Sequence, residues 1–90
     1  MQSERNKMRS AKASERVRWD RAAALVIGTL RRDLDVTQKE LAERLGWTRD
    51  GVANAERGRR HLRISDLIMI AQALRMDPEA LTRKIVRWQS

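Results

Sequence analysis

The stretch Val36-Thr37-Gln38-Lys39-Glu40-Leu41-Ala42-Glu43-Arg44-Leu45-Gly46, with Thr48 to Gly58 after it, decides how this chain folds. It reads as two short helices joined by a glycine turn, the second ending in Glu56-Arg57-Gly58-Arg59-Arg60. Thr37 and Glu40 have the spacing of a capping box: the hydroxyl takes a free amide three residues on, and the carboxylate reaches back. Gly46 follows the last apolar residue of the first of these helices, where the backbone can turn left-handed without a Cβ clash. Thr48 caps the next helix and Gly58 closes it. Two short helices at a steep angle around a glycine turn make a unit that sets its second helix into the major groove of DNA.

The rest of the chain narrows the alternatives. Ninety residues make one small domain, with room for one core and none for a deep catalytic cleft besides. Hydrophobic residues are 41%, but the only aromatic ones are Trp19, Trp47 and Trp88, so the core is built from Leu, Ile, Val and Ala. There is no cysteine, hence no disulfide and no thiolate metal site. The longest apolar run, Ala22 to Ile27, is far short of a membrane span. No charged stub, apolar block and cleavage site open the chain, so a cytoplasmic location without membrane attachment is expected. The formal charge of +8 calls for a polyanionic partner, and nucleic acid fits better than a lipid surface because no basic helix with bulky apolar anchors is evident.

Composition shifts once. Residues 1–18 hold six basic residues against two acids and almost nothing large and aliphatic, a basic arm that is either disordered or a solvent-exposed helical extension. From Trp19 to the end, 19–90, the pattern is periodic. Ala23, Val26, Ile27, Leu30 and Leu34 give one face of a first helix. Leu41, Ala42 and Leu45 face inward on the second, and Val52 and Ala55 on the third. Leu67, Ile68, Ile70, Ala71 and Leu74 predict a more fully buried fourth helix. Asp77-Pro78 opens a fifth, whose stripe is Leu81, Ile85 and Trp88. No strand pattern competes, so the fold class is all-α with five helices.

Residues 27 to about 81 resemble the Cro and lambda-repressor-like, or Xre-type, helix-turn-helix family. The resemblance rests on Leu30-Arg31, Thr37-Gln38, Leu41-Ala42, Leu45-Gly46, Val52, Glu56-Arg57-Gly58 and the run Leu67, Ile70-Ala71, Ala73-Leu74. The run Arg59 to Ile64 is, more weakly, similar to the controller regulators of restriction-modification systems. The resemblance implies a five-helix bundle that regulates transcription by binding operators as a dimer. It also implies that Gln38 clamps a phosphate and that Glu56 pairs inward with Arg31. The chain departs from the family pattern at Gly51, at Ala55 and at Leu62-Arg63.

The third helix supplies the candidate base readers. With Val52, Ala55 and Glu56 turned inward, Arg49, Asp50, Gly51, Ala53 and Asn54 fall on the outward side. The guanidinium fork of Arg49 matches O6 and N7 of guanine, with a phosphate contact as its alternative. Asn54 can pair with N6 and N7 of adenine, or sit on water or phosphate. Asp50 accepts from cytosine N4, steadies Arg49 or caps the helix. Gly51 either lets the helix approach the base edges or is a tolerated surface glycine. Thr48, Arg57, Arg59, Arg60 and Arg63, together with Gln38, are the candidate phosphate contacts. His61 stands alone, so no metal site is expected, and Trp47 is read as packing in preference to a sugar contact.

No glycine-rich phosphate loop, carboxylate pair or nucleophile with a histidine partner stands out, so the chain is not read as an enzyme and needs no cofactor. The alternative is a protein-interaction module of the antitoxin kind, with the arm as its partner-binding segment. RNA is disfavoured because so few aromatics are available for stacking. The stripe of the fifth helix is too large for a small domain to cover, which predicts a homodimer through that helix; the alternative is Trp88 folding back on Trp19.

Overall fold

The computed structural model describes the backbone of residues 2–89 and the side chains of residues 11–89, so the side chains of the first part of the basic arm lie outside the described residues. Five helices follow in order: α1 (Gln2–Asp33), α2 (Gln38–Leu45), α3 (Arg49–Glu56), α4 (Ile64–Ala73) and α5 (Pro78–Gln89). The described residues contain no strand. α1 packs against α5 and α3, α2 lies against α3 and α4, and α4 packs on α5.

The core sits where the five apolar faces meet. Ile27 of α1, Leu41 of α2, Val52 of α3, Ile70 of α4 and Leu81 of α5 are each fully enclosed. One such residue comes from every helix, each contributing about 1.5–3 kcal/mol of apolar transfer when buried, so no helix can leave without opening the centre. Ala22, Ala23 and Ala24 bring the α1 backbone close to its neighbours.

Helix ends follow local chemistry. Thr37 Oγ1 accepts from Glu40 N at 3.0 Å, but the return half of the expected box differs: the hydroxyl donates to Glu40 Oε1 at 3.1 Å. The carboxylate thus meets the cap hydroxyl and not the cap amide. Gly46 is left-handed with φ 70, and Trp47 N closes the turn onto Ala42 O at 2.9 Å. Gly58, φ 72, ends α3 in the same way, with Arg59 N donating to Asn54 O at 3.0 Å. The left-handed φ is what calls for glycine at 58; a Cβ there would meet Arg21 Cα on α1 at 3.6 Å, an ordinary packing distance. Asp77 caps α5 by accepting from Glu79 N at 3.1 Å.

Two apolar expectations are corrected, at Leu34 and along α4. Leu34 lies in the turn after α1 and is about half exposed, because the chain reverses at Asp35 before another helical turn can form. α4 is not the more fully buried helix: Ile70, Ala71 and Leu74 are inside, but Ile64, Ile68 and Met69 are exposed. The stripe on α5 is only partly covered, as its size predicts, with Leu81 and Ile85 enclosed and Trp88 exposed at the α1–α5 edge beside Val26, Leu30 and Arg87.

Candidate nucleic-acid interface

α1, α2 and α3 are locked together by one charged side chain from each end of the motif. Arg31 Nε donates to Glu56 Oε2 at 2.6 Å and Arg31 Nη2 donates to Glu56 Oε1 at 2.9 Å. The planar fork therefore meets the carboxylate with two bonds, an arrangement lysine cannot make. Arg31 Nη1 also donates to Val36 O at 2.8 Å, which ties the entry to α2 into the same group. Gln38 Nε2 adds a longer bond, 3.3 Å, to Glu56 Oε1. Both charged side chains are about nine-tenths buried. The hydrogen bond to Glu56 raises the Arg31 guanidinium above its ordinary range, against the lowering that burial brings. The network thus sets the angle between the two helices of the motif from their shared base.

Gly28, which belongs to no recognisable motif, makes room for this pair. A Cβ there would lie 3.4 Å from Glu56 Oε1 and 3.3 Å from Arg32 Nη1. Its only signal in the sequence is a glycine in the middle of a helix, where it costs about 1 kcal/mol relative to alanine.

The outward side of the motif is polar and concave. Gln38 of α2 comes together with Arg49, Asp50, Ala53, Asn54 and Arg57 around one hollow. Arg49, Asp50, Asn54 and Arg57 are exposed, so a fork, a carboxylate, an amide and a second fork face solvent from one small surface. Gln38 has one amide hydrogen in the Glu56 bond, and its second remains to donate. Thr48 Oγ1 accepts from Gly51 N at 3.0 Å, which assigns the capping role to Thr48 and leaves its own hydrogen to donate outward.

The remaining basic residues are arranged differently. The Arg60 guanidinium lies 3.8 Å over the centre of the Trp47 ring, close enough for a cation–π attraction of about 0.5–2 kcal/mol. Trp47 in turn packs on the core. A Cβ at Gly51 would stand 3.3 Å from Thr48 Oγ1 and 3.6 Å from Arg60 Nη1. Gly51 therefore sits in the gap between the α3 cap and the stacked arginine. No local pattern announces a tryptophan and an arginine that meet across α3. Arg59 and Arg63 are exposed in the turn that leads to α4, where Arg63 N donates to Asp66 Oδ2 at 3.0 Å. His61 Nδ1 meets Asp20 Oδ2 at 2.8 Å and so ties this turn to α1.

Similarity to known proteins follows the same elements. Residues 27–81 match the HTH_3 helix-turn-helix family, well over half of the chain and the whole of the motif with its supporting helices. No protein of curated function matches the sequence. Among solved structures, the wild-type restriction-modification controller protein C.Esp1396I is 23% identical with a TM-score of 0.72, covering 78% of this chain and 91% of its own. The same controller as a tetramer in complex with its natural 35 base-pair operator gives 22% identity and a TM-score of 0.73 over 79% and 93%. The clp gene regulator ClgR from C. glutamicum gives 23% and 0.73 over 77% and 90%. At these identities the likeness is one of fold. The match over residues 27–81 shows that the chain belongs to the Xre-type helix-turn-helix family.

Proposed function

We propose that the chain is a transcriptional regulator that reads double-stranded operator DNA in a sequence-specific way as a homodimer. The observation that carries this reading is the polar hollow in which Gln38 from α2 converges with Arg49, Asp50 and Asn54 from α3 and with Arg57 just after it. Arg49 and Asn54 are the base readers, by forked contacts to guanine and adenine. Asp50 and Gly51 line the approach to the base edges. Gln38, Thr48, Arg57, Arg59, Arg60 and Arg63 hold phosphates and set the register. Glu56 and Arg31 touch no DNA and keep α3 at its angle.

The dimer rests on a second surface. Ile64 and Ile68 of α4 are 78% and 40% exposed, and with Pro78, Thr82 and Val86 they line an apolar groove between α4 and α5. A second copy laid on the same groove by a two-fold axis would cover it on both partners. The fifth helix thus contributes its Val86 side, and not the enclosed Leu81 and Ile85. The neighbour C.Esp1396I, crystallised as a tetramer on its operator, supports an assembly on DNA.

Selection from a random duplex library, with sequencing of the bound fraction, tests both parts. Enrichment of two inverted half-sites about one helical turn apart is expected, since each copy reads only a few base pairs. A single enriched half-site would remove the dimer, and no enrichment over random duplex would remove the reading itself.

A further inference from the structure

Half of the net charge of +8 belongs to residues 1–18, which the proposed operator reading leaves unused. α1 begins at Gln2, and among the residues whose side chains are described its burial begins only at Ala22. The helical backbone of residues 2–19 spans about 27 Å, at 1.5 Å per residue, ahead of Ala22. From Ala11 to Trp19 only Glu15 is even half-buried. Lys12 is paired with Glu15 at 3.4 Å, while Arg16 and Arg18 are exposed and make no ion pair among the described residues. A helix that is polar all round has no core to bind to and is held by what it bridges.

The root of this helix fixes its neighbourhood. Asp20 meets His61 at 2.8 Å, and the backbone of Arg21 lies against Gly58. Both partners belong to the turn between α3 and α4, the turn that carries Arg57, Arg59, Arg60 and Arg63. Lys12 and Arg16 fall in line with Asp20 at four-residue spacing, so they continue the side of α1 that faces this turn. Basic surface therefore runs from the exit of α3 onto the projecting half of α1. Val17 and Trp19 are exposed too, but two apolar residues make no seam for a second helix.

We infer that the projecting half of α1 is a second, sequence-independent DNA contact, which lies along backbone phosphates beside the site read by α3 and lengthens the footprint of each copy. The inference rests on the operator reading and adds a surface to it. Its reach of about 27 Å corresponds to roughly eight base pairs, at about ten per 34–36 Å turn. The contact is electrostatic, so it raises affinity and salt dependence and leaves preference untouched.

The test uses the full chain, a selected site on duplexes with and without flanks of about ten base pairs, one helical turn, and the variant Lys12→Ala/Arg16→Ala/Arg18→Ala. Alanine keeps the helix. The native chain should bind the flanked duplex roughly tenfold or more tighter than the bare site at moderate salt, and the variant should bind both alike. On the flanked duplex the variant's log–log salt slope should be shallower by about two to three, close to 0.9 for each phosphate no longer neutralised. Preference within the site should be the same for both proteins. Native affinity that ignores the flanks, or equal weakening on both duplexes, would overturn the inference, as would a variant altered only in oligomeric state. The operator reading is judged separately by Arg49→Ala, which should relax preference at one position while the gain from flanks persists. A native chain that binds no duplex at all would remove both.

Discussion

The protein has two incomplete surfaces, and they are incomplete in different ways. Around α2 and α3 the exposed groups are charged or amide side chains, and those beneath them are locked by Arg31, Glu56 and the Thr48 cap. Between α4 and α5 the groove is mostly aliphatic, Ile64 and Ile68 foremost, with Glu79, Arg83 and Arg87 also along it. The first surface keeps its hydration until a partner supplies matching polar atoms, so it discriminates between partners. The second gains from any dry, complementary cover, so it favours association with little regard to sequence. A two-fold partner on the second surface would duplicate the first, which is how a domain this small doubles what it reads.

The comparison breaks most severely at the lock. Glu56→Ala strands the Arg31 guanidinium in a nearly closed site, and it should cost about 3–5 kcal/mol of unfolding free energy in urea. Removal of the pair as a whole, in Arg31→Met/Glu56→Leu, should be far milder. If Glu56→Ala costs no more than a surface substitution, the lock does not hold α3. Next in size is Arg49→Ala: specific affinity should fall by about 1–3 kcal/mol with preference relaxed at one position, while the fold keeps its stability. Unchanged preference in a competition assay would move Arg49 to the phosphate group.

The apolar surface is addressed by Ile68→Asp. Sedimentation should show the dimer constant weakened by at least about 1.4 kcal/mol, tenfold or more, with stability nearly unchanged because Ile68 is already exposed. A monomer that unfolds, or a dimer that persists, would place the interface elsewhere. The smallest effect concerns a helix end outside the motif. Arg75 closes α4 at φ 56, a left-handed conformation that glycine adopts more readily. Arg75→Gly should therefore stabilise the domain by about 0.5–1 kcal/mol, visible as a rise of a few degrees in the melting midpoint.

That last residue explains why some of the fold is legible in the sequence and some is not. α2 and α3 begin at threonines and end at glycines, so side-chain chemistry marks both boundaries. α1 and α4 turn off in the same left-handed way at Asp35 and Arg75, φ 57 and 56, with no glycine to mark it. Periodicity therefore runs one turn too far at Leu34. It also puts Ile68 inside, since an apolar residue awaiting a partner has the same phase as one packed at home. The polar hollow is legible because α3 is short and its inward residues are obvious. The Trp47–Arg60 stack and the space left by Gly28 depend on the meeting of distant segments, which neither propensity nor spacing encodes.

Gly28 has a consequence for how such a sequence can change over generations. A Cβ at 28 would meet the Glu56 carboxylate at 3.4 Å, an ordinary contact distance. It is therefore a side chain extending beyond Cβ that crowds Glu56, and a smaller group at 56 leaves the space beside Gly28 unfilled. Each position is thus a condition on the other: a bulky change at 28 is tolerable only with a compensating change at 56. The energetic signature would be strong non-additivity between the two in a double-mutant cycle. Among descendants of this chain, positions 28 and 56 should be inherited as a pair, although they lie on different helices and far apart in the sequence.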